Sequence, residues 1–252
     1  SLYLSKTHLA AAAQGVHFKQ VFEVCRKVGY SWADRLTHVP FGMILGISTR
    51  KGTLVFLEQI LDEGRARVME HLATKDDFTD AEREQIAEEI AIGAVVFYDL
   101  SRNRIKDYEF SWEQMLKGLR PGERGATGVY LQYTLARLNS VLDRYTDVFG
   151  ALAPAEDVDF AHLATDTELP LVAHIETWPA TIRDAADALE PALIARYALD
   201  LAELFNSFYS GGNKIVTDDP ALSAARATLV AATRNVLDHA LRLLGVPRPA
   251  RI

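Results

Sequence analysis

Helical periodicity in the second half of the chain is the feature that most limits the possible folds. From Gly128 onward, apolar residues recur every three or four positions, as on the buried face of amphipathic helices. Asp219 followed by Pro220 is typical of a helix start, and Gly245 of a helix end. The spacing predicts a helical bundle, with helices over 129–148, 158–176, 179–189, 191–209 and 220–244. Helical bundles serve many functions, so the helices alone identify no ligand.

The first half of the chain mixes strand and helix signals. Leu2–Leu4 and Arg35–Leu45 read as strands, and a helix is predicted from His17 to Val28. A strand, a turn and a helix in this order form half of a nucleotide-binding α/β unit. Further helices are predicted over 53–71, after the capping box at Thr79, and after Ser111.

The stretch Lys117–Gly128 separates the two halves. It contains several glycines and Pro121, residues that interrupt helices and strands. We therefore expect two domains, residues 1–121 and residues 122–252.

Three glycines punctuate the stretch Phe41–Gly52, which reads FGMILGISTRKG. Two hydroxyls and two cations follow the second glycine, in the run Ser48–Lys51. Glycine lets backbone amides approach a ligand, and amides, hydroxyls and cations together suit phosphate oxygens. The alternative is an ordinary surface turn with a solvated basic pair.

Composition limits the classes of protein that need consideration. The 252 residues carry a formal net charge of −7, which argues against indiscriminate nucleic-acid binding. Residues 73–90 are acidic and residues 226–252 basic, so local contact with phosphates remains open beside the alternative of solvated helix faces. The single cysteine, Cys25, excludes an internal disulfide, and the histidines show no metal-ligand spacing. With no apolar run of membrane-spanning length and no signal peptide at its start, the sequence predicts a cytoplasmic protein.

Two polar groups in the first half are further candidates for binding. His17 and Gln20 lie three residues apart, on one face of the first predicted helix, where they could contact a substrate or cap polar groups. In the polar segment 99–108, Arg102, Arg104 and Lys106 alternate, so an extended backbone would place them on one side.

Several segments, taken in order, share one resemblance. They are Ala12–Phe22, Phe41–Leu61, Asp99–Leu116, Thr127–Leu138, Ala195–Tyr209 and Arg242–Ile252. Together they resemble the C-terminal half of arginyl-tRNA synthetase, a class I aminoacyl-tRNA synthetase. The resemblance implies a mostly α fold, in which a remnant of a Rossmann-type α/β catalytic domain precedes an all-α anticodon-binding helical bundle. It implies ATP-dependent ligation of arginine to tRNA(Arg), with Mg²⁺ accompanying ATP and no metal bound by the protein itself.

The resemblance also implies roles for individual residues. Tyr209 would stack on or hydrogen-bond an anticodon base, although packing beside Phe205 and Phe208 in the core is an equal alternative. The catalytic set is Ser48, Thr49, Arg50 and Lys51; the substrate and ATP set is His17, Gln20, Gly42 and Gly46; the tRNA set is Asn103, Arg104, Tyr130, Tyr209 and Ile252.

Two departures from the family pattern leave the function open at this point. The HIGH motif of class I synthetases does not occur in the sequence, and the signature loop reads Gly46-Ile47-Ser48-Thr49-Arg50 in place of KMSKS. The chain could be the C-terminal portion of a working enzyme, with the N-terminal half as its partner. It could instead be a non-catalytic paralogue that binds tRNA or a protein, or a helical scaffold that never contacts RNA.

Overall fold

The computed structural model describes residues 7–46, 56–73, 78–119 and 125–252. The chain packs as two compact units. The first consists of Ser1–Val55 together with Arg102–Phe110, and the second of Phe56–Ser101 together with Ser111–Ile252. The predicted domain boundary, between residues 121 and 122, falls within residues 120–124, outside the described part of the chain, and stays a prediction.

The first unit contains two short parallel strand pairs and one helix. Strand β1 (Thr7–Ala11) leads through a single 3₁₀ turn into helix α1 (Gly15–Val28), and β1 pairs in parallel with β2 (Thr37–Phe41). Strand β3 (Ile44–Leu45) pairs in parallel with β4 (Tyr108–Glu109). The prediction of α1 is confirmed. Gly29 ends the helix in the left-handed conformation, with φ of 85°, and its N–H donates to the Arg26 carbonyl.

The strand predictions for this unit are only partly correct. Residues 2–4 lie outside the described residues, and the first strand observed is β1. The single strand predicted over Arg35–Leu45 is wrong, because the chain breaks at Gly42 and Met43 into β2 and β3, which belong to different sheets. Gly42 causes the break through a close approach. A Cβ at this position would lie 2.5 Å from the carbonyl oxygen of Lys106, so only glycine fits.

The second unit consists of helices and loops, with no strand in its described part. Thr79 caps its helix as the sequence predicts, since its hydroxyl accepts from the Glu82 N–H at 3.3 Å and the Glu82 carboxylate accepts from the Thr79 N–H at 2.8 Å. The helices are α2 (Leu57–Leu72), α3 (Asp80–Leu100), α4 (Trp112–Met115), α5 (Gly128–Phe149), α6 (Glu168–Glu176), α7 (Trp178–Ala188), α8 (Ala192–Ser210) and α9 (Pro220–Leu244).

The helix predicted over 158–176 is correct only in its second half. Residues 155–157 and 160–162 form 3₁₀ turns, and α6 begins at Glu168. Val158 and Leu163 are nevertheless buried, so the apolar residues of the predicted stripe reach the core from an irregular backbone. The mostly α fold class is confirmed.

Helices α3 and α5 pack at backbone contact distance. A Cβ on Gly128 would lie 2.5 Å from the Gly93 carbonyl oxygen and 2.8 Å from the Phe97 Cβ. Gln132 then bridges two chain segments by donating to the carbonyls of Glu89, at 3.0 Å, and Pro247, at 2.9 Å. The main core lies between α5, α8 and α9, where Leu131, Phe205 and Leu237 are completely buried. Among the described helices, none is long and apolar enough to cross a bilayer.

Candidate functional site

The predicted catalytic set, Ser48, Thr49, Arg50 and Lys51, lies outside the described residues. The described chain reaches the start of this loop at Gly46. Its φ is 80°, a backbone conformation that residues other than glycine adopt only with strain.

The carboxyl ends of β1 and β2 form one edge of the first unit. Ala11 pairs with Phe41 in register, so both strands end side by side, followed by the start of α1 and by Gly42. His17 and Gln20 are exposed on the first turns of α1. In α/β folds, ligands bind at the carboxyl edge of parallel strands, and α1, which carries both residues, begins after the carboxyl end of β1.

Aromatic stacking fixes α1 against β2 near this edge. The rings of Phe18 and His38 stack with their centroids 4.8 Å apart, and Phe18 also contacts Phe22 at 5.9 Å. Gly15, at the start of α1, lies close enough to His38 that a Cβ would be 3.6 Å from its ring. Helix α1, on which His17 and Gln20 are exposed, is therefore held against β2 by a defined aromatic contact.

The segment with Asn103 and Arg104 forms turns and does not adopt the extended backbone that would place Arg102, Arg104 and Lys106 on one side. The Asn103 side-chain oxygen accepts from the Ile105 N–H at 3.1 Å, and the Asn103 carbonyl accepts from the Lys106 N–H at 3.0 Å. A turn does not align alternate side chains on one side, as an extended backbone would.

These turns pack directly against the glycine stretch. The Gly42 N–H donates to the Arg104 carbonyl at 2.7 Å, and the Met43 N–H donates to the Asp107 carboxylate at 2.7 Å. The structure thus brings Asn103 and Arg104, predicted to contact tRNA, next to Gly42, predicted to contact ATP. Gly42 is required for this packing whether or not a ligand approaches it.

In the second unit, Tyr130 is joined to the end of α8. Its hydroxyl accepts from the Asn206 side-chain amide at 2.8 Å, and Asn206 also bonds Arg137 on α5. Asn206 precedes Tyr209 by three residues on α8. Tyr130 and Tyr209 are therefore associated with the same end of one helix.

The side chain of Tyr209 is neither buried in the core nor fully exposed to solvent. It is 37% exposed, whereas Phe205 and Phe208 are completely buried. Its ring lies 5.9 Å from the Phe205 ring in a tilted arrangement. One side of the tyrosine is thus supported by the core, and the remainder faces a pocket of about 350 Å³.

A buried polar network behind this pocket was missed from the sequence. The Arg226 Nε donates to Glu168 at 2.7 Å, and the remaining guanidinium nitrogens donate to the Lys214 carbonyl at 2.8 Å and the Asn213 side-chain oxygen at 3.1 Å. Glu168 is 0% exposed and Arg226 9%. The partners are separated by up to 58 residues, so no local pattern indicates them.

Hydrogen bonding decides the ionisation of Glu168. Burial by itself raises the pKa of this carboxyl, but hydrogen bonds from the Thr165 backbone and from Arg226 outweigh burial, and the pKa lies below its ordinary value. Its second oxygen accepts from the N–H groups of Ala164 and Thr165, at 3.0 and 2.9 Å. Glu168 is therefore a charged carboxylate in the folded protein.

The chain terminus with Ile252 lies near the start of α3. Ile252 is half-buried, and the Arg251 guanidinium sits over the Phe78 ring at 5.6 Å.

No group of three or more acidic, histidine or cysteine side chains that could hold a metal occurs among the described residues.

Comparison with known families divides the chain into two parts. Residues 6–112 match the profile of the catalytic domain of class I tRNA synthetases (R), and residues 131–252 match the DALR anticodon binding domain. The two matches follow each other along the chain in the order that the resemblance implies.

Curated relatives agree with this assignment. The arginine–tRNA ligase of Alkaliphilus metalliredigens is 36% identical over 95% of this chain, and that of Lactobacillus johnsonii is 35% identical over 98%. The chain covers 41% and 42% of these two proteins, so it spans about two fifths of the length of the relatives it matches.

Solved structures confirm the fold. The Thermus thermophilus arginyl-tRNA synthetase matches with a TM-score of 0.82 and 24% identity, over 98% of this chain and 41% of that one. The Plasmodium falciparum enzyme matches with a TM-score of 0.79, also at 24% identity, and with the same coverage.

Proposed function

Because this chain belongs to the arginyl-tRNA synthetase family, of which it represents the C-terminal part, we propose that it is part of a working arginine–tRNA ligase. The reaction is activation of arginine by ATP, followed by transfer of the arginyl group to the acceptor end of tRNA(Arg). The observation that carries the proposal is identity of 35–36% to arginine–tRNA ligases over nearly the whole chain.

The first unit supplies the edge at which ATP and arginine bind. His17 and Gln20 are exposed at the carboxyl edge of β1 and β2, and this arrangement fits a nucleotide bound across the strand ends. Gly42 and Gly46 bracket the approach to the signature loop, whose Ser48, Thr49, Arg50 and Lys51 would stabilise pyrophosphate as it leaves. Mg²⁺ would enter on the phosphates of ATP, which is the usual mode for this ion.

We infer that the N-terminal part of the synthetase completes the first unit. Val16, Val24 and Val28 are 69%, 59% and 61% exposed along α1, and Met43 is 63% exposed. Parallel sheets are normally covered on both faces, and two strands alone bury too little apolar surface to be stable. An additional α/β segment would cover these side chains and extend the sheet.

The second unit supplies tRNA recognition. Tyr209 presents a partly exposed ring beside a pocket, which supports stacking on an anticodon base. Tyr130 and Ile252 in this unit, and Asn103 and Arg104 in the first, complete the proposed tRNA contacts. We propose that the enzyme is soluble and acts in the cytoplasm.

The test is arginine-dependent exchange between ATP and pyrophosphate, measured on the protein expressed from its complete reading frame. We expect exchange, and Lys51→Ala should slow it while tRNA(Arg) affinity stays nearly unchanged. The matched control is Lys27→Ala, which removes an exposed cation at the end of α1 and should leave the exchange rate unchanged.

If a correctly folded protein binds tRNA(Arg) but shows no exchange, the proposal that it is an enzyme is refuted. This result would favour the non-catalytic paralogue that binds tRNA or a protein partner. An exchange rate unaltered by Lys51→Ala would refute the role of that lysine alone.

A further inference from the structure

The stretch Gly42–Gly46, which we call the stem, leads from β2 toward the signature loop. Gly42 and Met43, at its start, lie between β2 and β3 and belong to neither strand. Backbone N–H groups that leave a strand need other hydrogen-bond partners. The turn before β4 provides them. The Gly42 N–H donates to the Arg104 carbonyl at 2.7 Å, and the Met43 N–H donates to the Asp107 carboxylate, also at 2.7 Å.

Asp107 differs from the other partners of the stem because its contact is made by a side chain. The Tyr108 N–H, for example, donates to the Met43 carbonyl at 3.1 Å, and this bond joins backbone to backbone. A bond from an N–H to a carboxylate is typically shorter and stronger than a bond to a neutral oxygen. The Met43 side chain is 63% exposed, so it contributes little packing of its own. The identity of residue 107 therefore matters for how the start of the stem is held.

The stem carries both glycines of the proposed ATP set, Gly42 and Gly46. A Cβ on Gly42 would lie 2.8 Å from the Asp107 backbone nitrogen, so the stem and the turn before β4 are in direct contact. A displacement of the stem would move both glycines relative to a bound nucleotide. The bond between Met43 and Asp107 opposes such a displacement.

We propose that Asp107 is a positioning residue for ATP, which holds the stem through the Met43 N–H. The inference rests on the proposed function and adds to it a residue that none of its ligand-contacting sets includes. Asp107 is exposed, so the alternative is that its charge contacts a cationic ligand, such as the guanidinium of arginine or Mg²⁺. The structure favours positioning, because one oxygen of the carboxylate already accepts from the backbone. Positioning requires an acceptor oxygen at this place, whereas contact with a cation requires the negative charge.

The experiment compares Asp107→Asn with Asp107→Ala in the protein expressed from its complete reading frame. The assay is arginine-dependent exchange between ATP and pyrophosphate, with tRNA(Arg) present. Asparagine keeps an oxygen that can accept from the Met43 N–H but removes the charge, whereas alanine removes both. We expect Asp107→Ala to lower kcat/KM for ATP about 10-fold, less than the roughly 100-fold that a misplacement of about 1 Å can cost, with KM for arginine unchanged. Asp107→Asn should keep most of the activity.

The matched control is Asp34→Ala. Asp34 is an exposed aspartate of the same unit, and it accepts from the Arg26 side chain at 3.0 Å. Its removal should leave kcat/KM for ATP unchanged, because its partner is a side chain at the end of α1 and not the stem.

Amide hydrogen exchange gives a readout that does not depend on activity. Asp107→Ala should speed exchange in peptides that contain Met43, Asp107→Asn should not, and the melting temperature of both variants should stay nearly unchanged. Faster exchange throughout the first unit, together with a lower melting temperature, would show a general structural role and refute positioning.

The kinetic outcomes separate this inference from the proposed function. If Asp107→Asn and Asp107→Ala lose activity equally, the charge is what matters and positioning is refuted. If neither variant lowers kcat/KM for ATP, the inference fails and the proposed function stands. If the unsubstituted protein shows no exchange, the proposed function fails, and the role of Asp107 fails with it.

Discussion

Replacing Glu168 with Gln removes the negative charge of the buried pair while keeping the side-chain shape. In the folded protein, one Glu168 oxygen accepts from the Arg226 Nε and the other from the N–H groups of Ala164 and Thr165. A glutamine carbonyl can keep the two backbone bonds. Its NH₂ group then faces the Arg226 N–H, so two donors meet and the guanidinium loses its counter-charge.

The expected loss of stability depends on the hydrogen bonds that Arg226 keeps in the variant. Arg226 keeps its bonds to Lys214 and Asn213, so the damage is confined to the charge pair. Breaking a buried pair costs about 3–5 kcal/mol, and we expect about 3 kcal/mol here because those two bonds survive. For a chain of this size that corresponds to a fall in melting temperature of roughly 6–12 °C.

The assay is urea unfolding followed by helical ellipticity, with Glu63→Gln as the matched control. Glu63 bonds Arg67 at the same 2.7 Å, but both side chains are about half exposed, and their pair should contribute at most about 1 kcal/mol. Equal losses from the two variants would refute the reasoning, because burial would then make no difference to the value of the pair.

Four further outcomes are expected. Since the pKa of Glu168 is depressed, the unfolded state binds more protons in acid, so stability should fall as the pH drops below about 4.3, and Glu168→Gln should show a smaller fall. Burial raises the pKa of Tyr197 to about 12, so stability should decline as pH rises from about 10 through 12, and Tyr197→Phe should flatten that decline in pH-dependent unfolding. Gly128→Ala should lower the melting temperature although alanine favours helices, because its Cβ would meet the Gly93 carbonyl; an unchanged melting temperature would contradict the close packing. Thr79→Ala should cost about 1 kcal/mol in chemical unfolding, through loss of the helix cap, and no cost would show that the cap contributes nothing.

Features set by neighbouring residues could be predicted from the sequence. The Thr79 capping box and the Asp219 cap of α9 each depend on contacts within a few residues, and both predictions are confirmed. The order of the family segments likewise predicted the mostly α architecture that the structure shows.

Features set by distant partners could not be predicted in this way. The break at Gly42 depends on Lys106, and the late start of α6 accompanies the Glu168 contacts with Arg226. Local periodicity carries no information about either contact. The Tyr209 pocket is a similar case, since Arg144 and Lys214, which both line it, are 70 residues apart in sequence.

Binding of tRNA(Arg) in which each anticodon nucleotide in turn lacks its base tests the central claim most directly. We expect at least one such removal to weaken binding roughly 5- to 150-fold, the range for loss of one base stacked on an aromatic ring. Tyr209→Ala should remove most of that difference while leaving the melting temperature nearly unchanged. Equal affinity for all anticodon variants, or discrimination that survives Tyr209→Ala intact, would contradict the account.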